Sequence, residues 1–298
     1  MKDAKSLIRF DWAMKRLLRD KANYGVLEGF LTSLLGREIK ILRLLESESN
    51  MEAFDSKQNR VDIMAESKDG EKMLIEVQNE AEDTYFHRML FASSRLVSEY
   101  IKRGSDYGKI SKVYSVNIVY FNLGEGKDYV YHGKTEFHGI HNNELLRLPA
   151  HLKKRFRVEG ISDLYPEYYI LRVNDFDKWS KVPLDQWMYF LSTSTIPDDA
   201  DAPGLAEARQ RLAIDRLSEA ERNAYYDHLE NMNSMRNVLD DAVNAAKFYG
   251  HKEGLEEGLE KGRMEEKIAI ARSLKASGVL DEIIQKTTGL STEEISTL

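Results

Sequence analysis

Between Val61 and Glu80 the sequence reads VDIMAESKDGEKMLIEVQNE, and two acids, Asp62 and Glu76, stand inside apolar runs on either side of a glycine-containing turn. Alternation puts Asp62, Met64 and Glu66 on one face of a first strand and Leu74, Glu76 and Gln78 on one face of a second. The turn decides whether those faces coincide. A three-residue loop, Lys68-Asp69-Gly70, with glycine in the left-handed position of a G1 bulge, pairs Ser67 with Glu71 and hence Asp62 with Glu76. A two-residue Asp69-Gly70 turn instead pairs Asp62 with Val77 and sends the acids to opposite faces. Carboxylates that face each other beside apolar neighbours repel unless a proton or cation lies between them. Oxygen ligands of this kind suit Mg²⁺, or Mn²⁺ in its place, with waters and a substrate phosphate completing the shell. The same residues also read as an acid pair that keeps a solvated sheet edge soluble.

The elements around this hairpin must position it. Residues 7–45 carry apolar positions at helical spacing in LIRFDWAMKRLL and VLEGFLTSLLG, with Gly36 as a stop. Helical spacing returns from Thr84 to Arg103, and KVYSVNIVYF, Lys112 to Phe121, has the β-branched and aromatic content of a buried central strand. A helix joining two strands is a crossover unit, so the expected architecture is a mixed sheet flanked by helices. A further strand is expected within 161–173, and a helix from Pro183, with proline in its first turn. The segment STIPDDADAPG, Ser194 to Gly204, reads as a linker or exposed loop. The expected division is therefore 1–195, a linker over 196–204, and a helical extension over 205–298.

That extension holds YGHKEGLEEGLEKGRMEE, whose glycines at 250, 254, 258 and 262 share one helix face. Each costs a helix about 1 kcal/mol against alanine, which close approach of a second helix would offset; a frayed, charged segment is the alternative. A homodimer through the C-terminal helices follows from the first reading. Near the end, Asp281 can cap one short helix, and Ser291 with Glu294 forms a capping box for another. The outline is that of a helix-turn-helix, but Glu293 and Glu294 give the second helix the wrong sign for phosphates, which favours a structural or interaction role.

The 298 residues contain no cysteine and carry a formal net charge of −7. Disulfide and thiolate chemistry are excluded, and any metal must take oxygen or imidazole ligands. No apolar run approaches the length of a membrane helix and no secretion signal is evident, which fits a cytoplasmic protein away from membranes. Binding nucleic acid against this net charge requires local basic surface. Lys102, Arg103, Lys109 and Lys112 offer one such patch and HLKKRFR, His151 to Arg157, another, although such clusters commonly only solvate a surface.

In order along the chain come a helix with Glu28, Asp62 on one strand, Glu76-Val77-Gln78 on its partner, then a helix and a further strand. This order resembles the core of the PD-(D/E)xK nuclease superfamily. More narrowly, the chain resembles the recombination-promoting nuclease (transposase) family in DWAMKRLL with Lys15, the RVDI and LIEVQNE strands, the helix with Arg88, the segment GSDYGKISKVYSVNIVYF, and the glycine-studded tail with TGLS. The resemblance implies a restriction-endonuclease-like α/β fold and a metal-dependent endonuclease acting on duplex DNA. Asp62 and Glu76 match the motif's acids as Mg²⁺ ligands, and the Val77 carbonyl is a further candidate ligand. Gln78 stands where the superfamily name has lysine. Glutamine can orient a water or phosphate oxygen but cannot remove a proton. That task then falls to a metal-activated water, to the phosphate, or to a lysine from elsewhere, such as Lys57 or Lys72. Glu28 is a candidate auxiliary acid, and Arg88 a candidate phosphate contact or helix-surface ion pair. His87 is expected to face solvent or pack. A catalytically silent nuclease fold, acting as a DNA-binding or assembly module, is the alternative, and Gln78 and the acidic charge favour it.

Overall fold

The computed structural model describes residues 7–16, 20–45, 61–100, 106–176 and 179–298, with Lys15, Arg16, Val61, Asp62 and Tyr100 described by backbone alone. Lys57, Lys102 and Arg103 lie outside the described residues. Two short helices open the chain, α1 at Phe10–Arg16 and α2 at Tyr24–Leu35. Helix α2 ends where the sequence predicts, at Gly36, whose φ of 67° lets its N–H close back onto the Thr32 carbonyl. The strands β1 (Ile41–Leu45), β2 (Val61–Ser67) and β3 (Lys72–Gln78) follow, then helix α3 (Tyr85–Tyr100) and strand β4 (Val113–Val119). After β5 (Val130–Gly133) and the basic helix α4 (Ala150–Phe156), β6 (Glu167–Arg172) completes a six-stranded sheet of order β1-β2-β3-β4-β6-β5. Strand β4 lies parallel to both β3 and β6, and the other neighbours are antiparallel. The mixed sheet and the β3-α3-β4 crossover are as expected; β1 and β5 are additional edge elements.

The hairpin between β2 and β3 adopts the three-residue loop. Gly70 has a φ of 83°, the Ser67 N–H donates to the Glu71 carbonyl at 2.9 Å, and the ladder pairs Asp62 with Glu76. Asp62, Met64 and Glu66 therefore share a sheet face with Lys72, Leu74 and Glu76. Helix α3 covers this face: Leu96 packs with Met64, Leu74 and Val113, while Tyr85 and Met89 pack with Val119. Ile63, Ile75, Val77 and Ile118 point to the other face and are buried too. An aromatic cluster joins α1 and α2 to α5 (Pro183–Thr193), with Phe10, Phe30, Trp187 and Phe190 at ring separations of 5.5–6.2 Å.

The acidic, proline-containing segment before Gly204 is not where the chain divides. Buried Gln186 accepts from the N–H groups of Asp201 and Ala202, and Trp187 donates to the Pro203 carbonyl. Helix α6 (Leu205–Arg211) then contributes Leu205 and Ala208 to the interior. The two compact units are Met1–Tyr225 and Tyr226–Leu298. The second comprises the remainder of the long helix α7 (Glu219–Ala276) with α8 (Asp281–Thr288) and α9 (Thr292–Ser296). Its small core is Ala271, Ile284, Leu290 and Ile295. Ser291 and Glu294 form the expected capping box, whereas α8 is preceded by Leu280 and carries Asp281 inside its first turn. No described helix is long and apolar enough to cross a membrane.

Candidate active site

Strand β3 is buried along its whole length, yet three of its seven residues are Lys72, Glu76 and Gln78. Glu76 is only 2% exposed. A carboxylate so far from water needs a compensating partner, and α3 supplies one. Arg88, one turn into that helix, pairs with Glu76 and also with Glu82, the latter at 3.1 Å, while its guanidinium lies 5.9 Å from the centre of the Tyr85 ring. The helix is positioned for this by Tyr85, whose ring is fully buried and whose hydroxyl donates to Asn117 Oδ1 at 3.4 Å.

Asn117 stands beside Glu76 in the parallel β3–β4 ladder. It is fully buried, and its amide donates to the Ser115 hydroxyl at 3.0 Å and the Tyr169 carbonyl at 3.1 Å. Gln78 is two residues beyond Glu76 on the same face. Its amide nitrogen donates to the Glu80 carbonyl at 3.2 Å, but its buried carbonyl oxygen has no hydrogen-bond partner among the described residues. A buried amide acceptor without a donor is unfavourable, so the face that carries Glu76 also presents an unsatisfied oxygen.

A further buried acid lies just past the end of β3. Asp11, 1% exposed, accepts from Arg9 and from the Asn79 amide, each at 3.1 Å. Arg9 in turn donates to the Asn79 carbonyl oxygen at 3.3 Å and lies 4.9 Å from the Tyr120 ring centre. The sequence patterns do not single out Asp11, Asn79 or Asn117. The available signal is polarity out of place: Asp11 interrupts an otherwise apolar Phe10–Met14 run, and Ser115 and Asn117 recur at strand spacing inside a β-branched segment.

The remaining candidates divide between side chains engaged by other groups and residues set apart from the acids. Glu28 accepts from the Ile41 N–H at 2.8 Å and pairs with Lys40 at 3.2 Å, so it ties α2 to the first residue of β1. Lys72 is buried and pairs with Glu66 at 2.8 Å, which also holds Arg43 at 2.7 Å. Being four and six residues before Glu76 and Gln78, its backbone lies ~13–20 Å from theirs. The Val77 side chain faces away from the acids, and its backbone sits in the ladder between Val61 and Ile118. His87 is exposed. Of the basic patches, Lys112 is consumed by the Ser162 and Tyr165 carbonyls and by Glu167, while α4 presents His151, Lys154, Arg155 and Arg157 outward.

The sequence that builds this sheet has a counterpart among known families. The sequence model of the PD-(D/E)XK nuclease family transposases matches residues 8–242. The chain belongs to this family. No curated protein and no solved structure matches it. Membership agrees with the mixed six-stranded sheet flanked by helices.

The family implies a divalent metal, and the residues present fit one. Asp62 is opposite Glu76 in the ladder, and the orphaned Gln78 oxygen adds a neutral donor on the same face. An all-oxygen donor set suits a hard dication. Among the described side chains no three His, Asp or Glu converge.

Proposed function

We propose that the protein is a metal-dependent endonuclease that hydrolyses phosphodiester bonds in duplex DNA, of the recombination-promoting transposase type, working in the cytoplasm. The observation that carries this reading is the register that sets Asp62 against Glu76, with the unpartnered Gln78 oxygen beside them. Asp62 and Glu76 would hold Mg²⁺, or Mn²⁺, with the Val77 carbonyl as a further candidate ligand; when bound, the ion lowers the pKa of a water and neutralises charge developing on the phosphate. The chain's own residues do the positioning. The β2–β3 ladder fixes the spacing of the acids, Asn117 stands beside Glu76 and accepts from Tyr85, and the Gln78 amide can orient a water or phosphate oxygen but not deprotonate it. Lys72 is too distant to serve as the base, which leaves the phosphate, a metal-bound hydroxide or Lys57 to take the proton.

Nicking of supercoiled plasmid in Mg²⁺ or Mn²⁺ tests the proposal. Asp62→Asn and Glu76→Gln should each lower the rate by at least about a hundredfold, the scale of losing an essential electrostatic group, while thermal melting shows that the chain still folds. Equal cutting by both variants and the native chain would sink the assignment. A second reading is favoured by the ion pair between Arg88 and Glu76, which already neutralises the acid from within. A silent nuclease fold that binds DNA or assembles through its C-terminal helices would use that pair structurally, and would bind no Mn²⁺ at the hairpin.

A further inference from the structure

Arg88 stands where a metal site would least be expected to place a cation of its own. Its guanidinium forms an ion pair with Glu76, the acid of β3, and reaches Glu82 through a different nitrogen, Nη1, at 3.1 Å. A guanidinium has five donors in a rigid fork and can serve two acids at once. Its side chain is 15% exposed and Glu76 is 2% exposed, so the contact is partly screened on one side only.

We propose that Arg88 is a resident counter-ion for Glu76 that exchanges with the divalent metal: the guanidinium holds the carboxylate before metal arrives, then withdraws to Glu82 and toward the phosphate when metal binds. This inference rests on the metal-site reading of Asp62 and Glu76. A dication and a guanidinium on one buried carboxylate repel strongly at low effective dielectric, so occupancy by one opposes the other. The withdrawal has a landing place, because Glu82 already accepts from Arg88 and lies just before its helix. Lys72 cannot stand in, since its ammonium is engaged by Glu66 at the far end of the strand. The device serves two purposes. It removes the penalty of a buried acid in the metal-free protein, and it delivers a fork suited to phosphate recognition when the metal is in place. Arg88 is thus a positioning residue whose two partners define its two positions.

The test is Mn²⁺ binding by the full chain without DNA, followed by calorimetry and by the metal-induced rise in melting temperature. Arg88→Met keeps the apolar stem and removes the charge. Without metal it should melt roughly 5–10 °C below the native chain, as expected when a buried pair loses one partner. With metal it should bind Mn²⁺ about tenfold more tightly and gain more degrees per unit of metal than the native chain. Arg88→Lys should return both quantities toward native values. A purely structural ion pair predicts the lower melting temperature but no gain in affinity. Equal Mn²⁺ affinity in the native chain and Arg88→Met, or weaker affinity in the variant, overturns the exchange and leaves the metal site standing. If neither protein binds Mn²⁺, the metal-site reading and the exchange fall together.

Discussion

Glu76 shows how much of a site's behaviour is set by groups that touch one side chain. Its burial is tolerable because Arg88 supplies charge and because Asn117, next to it in the ladder, is itself fully satisfied. Replacing Asn117 by valine keeps the strand preference but strips the donors from the Ser115 hydroxyl and the Tyr169 carbonyl, and the acceptor from Tyr85. A loss of about 1–3 kcal/mol is expected from the unsatisfied groups, read as a lower urea midpoint with an unchanged m-value. Away from the acid pair, Glu66 offers a pH prediction. The hydrogen bond from the Lys72 ammonium, helped by Arg43 and opposed by desolvation, holds its carboxyl below the usual carboxylate range. A depressed folded-state pKa contributes stability that is present above the unfolded value and lost as pH falls through the folded one. Melting temperature should therefore decline as pH drops below about 4.5, and Glu66→Gln should make that decline shallower. These partners explain which site residues the sequence reveals. The pairing of Asp62 with Glu76 is half legible: the sequence narrows the turn to two registers, and the three-residue loop selects between them. The Arg88 contact with Glu76 and the support from Asn117 are not legible, because they depend on how a crossover helix and a parallel strand are placed in space.

Among elements, legibility follows length and local chemistry. The helices ending at Gly36 and starting at Pro183 carry their own punctuation, and β4 is long and apolar enough to announce itself. Strands β1 and β5 are short edge strands with partly exposed residues, so neither alternation nor a buried run marks them. The segment before Gly204 has the composition of a linker, yet it is held by Gln186 and Trp187, which lie some fifteen residues earlier in sequence. Its last residue also meets α2 without intervening side chains. A Cβ at Gly29 would come within 2.3 Å of the Gly204 Cα and 2.4 Å of the Pro203 carbonyl oxygen, both backbone atoms. Gly29→Ala must push α2 away from this segment. Its cost should exceed about 2 kcal/mol, at the upper end of overpacking effects. Gly70→Ala makes the contrast: nothing lies within 4 Å of its Cβ, so only the left-handed backbone conformation is penalised, by roughly 1 kcal/mol. Chemical denaturation of both variants checks the order, and a larger loss at Gly70 would contradict the close approach.

At the scale of the whole molecule, the family match extends to residue 242, past the end of the first compact unit at Tyr225 and part-way along α7. Cutting the chain at 204 would thus remove Leu205, Leu212, Leu217 and Tyr225 from the interior of the first unit, and a test of assembly must use substitutions instead. Within the second unit, α7 exposes Leu239, Val243, Leu255 and Leu259, each about half accessible or more, with 48% at Val243 the lowest. Apart from the helix's own neighbouring backbone, nothing described lies within 4 Å of a Cβ placed on Gly250, Gly254, Gly258 or Gly262. The ion pairs on this stretch, Lys252 with Glu256 and Lys261 with Glu257, are exposed and 3.9 Å long, too weak to offset four glycines. A helix with this surface gains most by covering it with a second copy of itself, because small residues admit a close backbone approach while the leucines interdigitate. A homodimer through α7 is the proposed outcome. Sedimentation equilibrium of the full chain should give a dimer, and Leu255→Glu with Leu259→Glu should give a monomer. Gly254→Ala with Gly258→Ala separates the roles of glycine and leucine. In a solitary helix these changes raise helix stability by up to about 1 kcal/mol each, whereas in a close-packed pair they weaken association. A monomeric native chain whose α7 is simply stabilised by alanine would rule the pairing out.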